Sequence, residues 1–151
     1  MLQDPIPKQI KGDRHDTVSM YCHDNIEKAM NHYSVLVSKL LDINNWNSYS
    51  SSFKTKFIIC DKYGKETNDQ PQVGYYVKID IPAPSNPGGH GHDWVLITDM
   101  SIDNDERETT SITMRPCANP RSKEEHTAHF YKNSASSTFI VRRVDHCVLA
   151  E

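Results

Sequence analysis

Residues 72–98, QVGYYVKIDIPAPSNPGGHGHDWVLIT, constrain the fold of this chain more than any other stretch. Val73, Tyr75, Val77, Ile79 and Ile81 alternate with Gly74, Tyr76, Lys78 and Asp80. That period of two is the mark of a strand with one buried face. The alternation then runs into Pro82, Pro84, Pro87, Gly88, Gly89 and Gly91, which can neither wind into a helix nor continue a hydrogen-bonded ladder. A loop of this kind is held out from the sheet, where binding residues concentrate. Trp94 to Thr98 resumes as a strand that is apolar on both faces and therefore interior.

Further strands follow from the same pattern. Phe53, Thr55, Phe57 and Ile59 alternate with Lys54 and Lys56, a weaker, Thr-rich run covers Thr109 to Met114, and Thr138 to Arg142 and Cys147 to Ala150 make a fifth and a sixth strand. The last two are joined by a tight turn near Val144-Asp145. Short connections favour antiparallel pairing. Upstream, the period changes to 3.6. Between Asn25 and Leu41, a stripe of Ile26, Met30, Tyr33, Val37 and Leu40, widened by Ala29, Leu36 and Leu41, predicts an amphipathic helix. Asp24 and Glu27 have the spacing of a capping box. An earlier start at Asp16, with Val18, Tyr21 and Cys22 inside the helix, fits the pattern as well. Residues 1–15 read as an extended N-terminal arm and 16–151 as a single domain. The expected fold is α+β, with a long N-terminal amphipathic helix packed on a curved antiparallel sheet, or on a partly closed barrel, of about six strands.

Composition narrows the partners. The formal net charge is -3. Lys54, Lys56, Arg115, Arg121, Arg142 and Arg143 form no basic run, which argues against nucleic acid. The opening residues have no apolar core of a signal peptide, and no stretch reaches the ~18 apolar residues of a membrane span. The expectation is therefore a cytoplasmic protein with no membrane contact. Cys22, Cys60, Cys117 and Cys147 make no CxxC and read as free thiols in a reducing compartment. The oligomeric state is not legible.

The passage DINNWNSYSSSFKTKF, a helix end followed by a tryptophan and a strand, resembles the helix-grip fold of START-type lipid- and polyketide-binding domains. The family's leading strand is not evident in the pattern, and a strand stands at the end of this sequence where the family has a closing helix. The resemblance is to a fold plan and implies no function residue by residue.

Several constellations could carry chemistry. His90, His92, His126 and His129 form two close pairs that could ligate zinc or another divalent transition metal, with Asp93 as a further ligand or an outer partner. Their spacing matches no metal motif, so the composition favours no cofactor. Cys117, between Pro116 and Pro120 and beside Arg115 and Arg121, could be a thiolate nucleophile with His126 or His129 as base. The glycine-rich SNPGGHG is followed by a strand and lacks the P-loop lysine, which excludes a phosphate loop. Tyr75, Tyr76 and Trp94, with Phe53, Phe57 and Phe139 nearby, could line an apolar pocket, with His90, His92 and Asp93 at its mouth.

Three function classes follow. The first is a binding or interaction module without a catalytic signature, for a protein partner or a small ligand. The second is a domain of helix-grip or barrel type that binds an apolar small molecule, with or without lyase or cyclase activity. The third is a metal-dependent enzyme using His90, His92, His126 and His129. The absence of any catalytic signature places the weight on the first.

Overall fold

In a computed structural model, residues 17–49, 55–80, 92–103, 108–121 and 136–151 are described. Strand β1 (Ser19–Cys22) leads into helix α1 (Ile26–Leu41) and a 3-10 helix (Ile43–Tyr49). Six strands follow: β2 (Lys56–Cys60), β3 (Tyr76–Asp80), β4 (Asp93–Asp103), β5 (Thr109–Cys117), β6 (Ser137–Val144) and β7 (Cys147–Ala150). They form one antiparallel sheet in the order β1-β7-β6-β5-β4-β3-β2. The sheet thus has seven strands where the period-two pattern indicated about six. The additional one is β1, in residues that also fitted an early helix start. Four residues are too few to show a period. The proposed arm, residues 1–15, lies outside the described residues. No helix among the described residues is long and apolar enough to cross a membrane.

Helix α1 is capped by Asn25, whose side-chain oxygen accepts from the Lys28 N–H at 2.9 Å; the expected Asp24 cap stands one residue too early. Sixteen residues make it about four and a half turns, a moderate length. Its buried face is also rotated from the expected one. Ala29 and Tyr33 are buried and Leu36, Val37 and Leu40 pack beside them, while Ile26 and Met30 remain 48% and 43% exposed. The reason is close approach. Ala29 has no accessible surface, so the helix lies on Val141 of β6 and Val148 of β7 through its smallest side chain. Larger neighbours are tilted outward.

The sheet curls around the two helices. Trp46 of the 3-10 helix stacks edge-on against Phe57 of β2 and Phe139 of β6, at ring-centroid distances of 5.3 and 5.5 Å. Those strands stand four places apart in the sheet, which in a flat sheet would be about 19 Å. One indole can touch both only because the sheet bends into a half-barrel. On the same concave side Ile43, Ile59, Val77, Ile97, Ile112 and Met114 form the main core. Each fully buried aliphatic side chain there contributes roughly 1.5–3 kcal/mol. The Trp46 N–H is shared between the carbonyls of Lys39 and Leu40, both at 3.1 Å, which ties the indole to the end of α1.

The ladder also decides what lies on the convex side. Cys60, Tyr76 and Leu96 are paired across β2, β3 and β4, and Lys78, Trp94 and Cys117 across β3, β4 and β5. Strand β3 begins later than its alternation suggested. Val73 is exposed, and Gly74 adopts φ 94°, a turn conformation that favours glycine.

Candidate functional site

A cleft of about 470 Å³ opens between the 3-10 helix, β2 and the β2–β3 connection. It is lined by Asn44, Asn47, Lys56, Phe57, Ile58, Glu66, Thr67 and Asn68. Its back wall is built by Asn44. That side chain accepts from the Ile59 N–H at 2.8 Å and donates to the Thr67 carbonyl at 3.2 Å, standing in for a missing neighbour strand at the β2 edge. The Thr67 N–H in turn reaches the Ile59 carbonyl at 3.0 Å, so the connection is held against β2. Asn47 lies one helical turn further on and reaches the cleft with its amide uncommitted among the described residues. Lys56 and Glu66 supply one charge of each sign. The apolar part of the lining comes from Phe57 and Ile58.

The β2–β3 connection is itself rigidly built. The Asp61 carboxylate accepts from the N–H groups of Tyr63 and Lys65, at 2.8 and 3.1 Å. Gly64 has φ 80°, and a β-carbon there would come within 2.8 Å of the side chains of Pro120 and Arg121. The loop after β5 therefore packs against this turn, and only glycine fits between them.

The residues singled out from the sequence are distributed over both faces of the sheet. Tyr75 packs toward the concave core and its hydroxyl donates to Asp69 at 3.2 Å. Tyr76 and Trp94 share the convex side, and the Lys78 ammonium lies 6.0 Å from the Trp94 ring centroid. Trp94 is buried, and its indole N–H has no hydrogen-bond partner among the described residues. His92 and Asp93 are half-buried at the start of β4. His90, His126 and His129 lie outside the described residues, as does Phe53. Phe57 and Phe139, expected at an apolar pocket, are instead stacked on Trp46 in the hollow of the sheet.

The reading of Cys117 as an activated nucleophile is corrected. Burial pushes its thiol up to about 12, the opposite of the lowering expected from nearby arginines. The reading of all four cysteines as free thiols is corrected as well. Cys22 and Cys147 stand opposite each other in the β1–β7 ladder, 3.9 Å apart at Cα, and are joined by a disulfide. Cys60 and Cys117 are free. The pairing links residues 125 apart, and no local pattern announces it.

A second polar cluster lies at the corner where β1 meets α1. His23 Nε2 and His32 Nδ1 are 2.9 Å apart, so one ring donates to the bare nitrogen of the other. Tyr21 flanks both rings, at centroid distances of 4.6 and 5.9 Å. Burial, then the neighbouring His23, then Lys39 hold the His32 imidazole below its ordinary value. The sequence reading passed over these histidines because nine positions separate them across a strand–helix junction. A spacing signal exists only within one element.

Comparison of the chain with family models, with characterised proteins and with solved structures gives no match. The site must be judged on its own geometry.

Proposed function

We propose that the protein is a binding module without catalytic machinery, and that it holds a small polar ligand in the cleft between the 3-10 helix and β2. The observation behind this reading is the cleft itself. Its volume of about 470 Å³ falls within the usual range of small-molecule sites, roughly 300–1,000 Å³. Amide side chains dominate its polar lining; Asn44 is spent on the backbone of Ile59 and Thr67, and Asn47 and Asn68 are left to present donor and acceptor groups. Such a lining suits a neutral ligand dense in both kinds of group, such as a sugar or a short peptide. The Phe57 and Ile58 floor offers apolar contact to its carbon skeleton. An apolar ligand of the helix-grip type draws less support, because Trp46 occupies the hollow of the sheet where it would sit.

The test is nitrogen-edited NMR of the labelled protein with panels of monosaccharides and dipeptides. A binding ligand should shift the amide signals of Asn47, Thr67 and Asn68. Asn47→Ala should abolish those shifts without changing the melting temperature. Shifts confined to other parts of the chain, or none with either panel, would sink the reading.

A further inference from the structure

We infer that the Cys22–Cys147 disulfide is the closed form of a metal site, and that reduction converts it into a Cys₂His site for zinc. Ligand atoms of Cys22, Cys147 and His146 all lie within 4.8 Å of one another. Three ligands on a tetrahedral zinc, at about 2.0–2.3 Å from the ion, are themselves about 3.3–3.8 Å apart. Separating the sulfurs from bonding distance and drawing the imidazole inward by an ångström or so, about one bond's slack, meets that requirement.

Local structure supports the conversion in three ways. The cysteines are directly opposed in an antiparallel ladder, so their side chains stay on one face when the bond opens. His146 belongs to the two-residue turn Asp145-His146, closed by the Val144–Cys147 pair, and its exposed ring can turn without disturbing a core. The Asp145 carboxylate lies 3.5 Å from His146 Nδ1. A carboxylate on one ring nitrogen is the usual arrangement that orients a zinc-bound histidine and leaves the other nitrogen for the ion. Among the described residues no fourth side chain joins this set, so water completes the tetrahedron.

Access is also in place. Strand β1 is a sheet edge, all four of its residues are exposed, and Cys22 is among them. A dithiol reductant attacks one sulfur through its thiolate to give a mixed disulfide. Its second thiol then releases the protein. The protein gains two electrons and two protons as two thiols, and the reductant leaves as a disulfide. Zinc binding displaces the two thiol protons and forms two Zn–S bonds. In the oxidised chain this site has no thiolate to offer, because both of its sulfurs are tied up in the disulfide, so metal binding here reports the redox state of its surroundings.

Cobalt(II) serves as an optical probe for the tetrahedral thiolate set, and the full-length chain is titrated before and after reduction with a phosphine. The reduced wild-type chain should develop a thiolate-to-cobalt charge-transfer band that saturates at about one ion per chain and is bleached by zinc. The oxidised chain should show no such band. His146→Ala, with its fold checked by circular dichroism, should weaken binding at least about 10-fold, and Asp145→Asn should weaken it by a smaller factor. Equal metal binding by oxidised and reduced chains would overturn the inference and place the ion on other histidines. It would equally be overturned by His146→Ala binding as wild type, or by a reduced chain that unfolds and gives no band.

Discussion

The hydroxyls of Tyr33 and Thr110 lie 2.8 Å apart in the interior, 77 residues apart in the sequence. This bond pins the middle of α1 to β5, the central strand of the sheet. Tyr33 is 3% exposed and Thr110 has no accessible surface, so neither group has water as an alternative partner.

Tyr33→Phe leaves the Thr110 hydroxyl unpaired and should cost roughly 1–3 kcal/mol in denaturant unfolding. The bond also has a pH signature. Burial, the larger effect, raises the Tyr33 phenol above its ordinary value, although the Thr110 hydrogen bond acts the other way. A raised folded-state value means the contribution is fully present below about pH 10 and is lost as pH rises beyond it. The wild type should therefore lose stability in alkali, and Tyr33→Phe should lose less. Parallel alkaline unfolding curves for the two chains would disprove this.

The rotated face of α1 separates two substitutions that helical periodicity ranks the other way round. Ala29→Leu forces a larger side chain between α1 and the sheet and should cost at least about 1–3 kcal/mol. Met30→Lys, on the half-exposed side, should stay within about 0.5 kcal/mol of wild type. Thermal melts of the two variants decide it. A greater loss from Met30→Lys would return the buried face to the sequence expectation.

Thiol counting tests the cysteine assignments. Burial raises Cys60 as well as Cys117. At about pH 8 a thiol at about 12 is ionised in only about one chain in ten thousand. The native oxidised protein should therefore take up far less than one alkyl group per chain. Two free cysteines should react after denaturation, and all four after denaturation with reduction. Four in the denatured, unreduced chain would remove the disulfide. Opening this bond should destabilise the fold by roughly 2–4 kcal/mol, because it closes a long loop in the unfolded chain.

The His23–His32 contact should make the β1–α1 corner sensitive to acid. The His32 value is lowered on folding, so its contribution is present above about pH 6.5 and is lost as pH falls below that. Two protonated rings also cannot share a hydrogen bond. Amide exchange in residues 19–26 should speed up between about pH 6.5 and 5 in the wild type. In His32→Phe, exchange corrected for its intrinsic pH dependence should be flat over that range. An unchanged wild-type profile would show that the pair carries no such penalty.

Legibility in the sequence followed the range of each interaction. The strands from Tyr76 onward and the helix near Asn25 were readable because their apolar residues repeat within one element, and a repeat is visible wherever it spans several turns or pleats. Residues 19–22 had no period to show, and they became β1 only because β7 offers them a partner edge. The cleft was not legible at all. Asn44, Asn47 and Asn68 look like ordinary polar turn residues until the 3-10 helix is laid against β2.

The amino-acid pattern by itself therefore determined the class of fold: an amphipathic helix and an antiparallel sheet with one side covered. Burying alternate residues is a local demand that each segment expresses on its own. Tertiary structure alone decided the curl around Trp46, the Cys22–Cys147 pairing, the meeting of His23 with His32 and the rotation of α1 onto Ala29. Each of these depends on which surfaces approach most closely across long separations, and close approach is set by the packing of whole elements, to which a single segment holds no key.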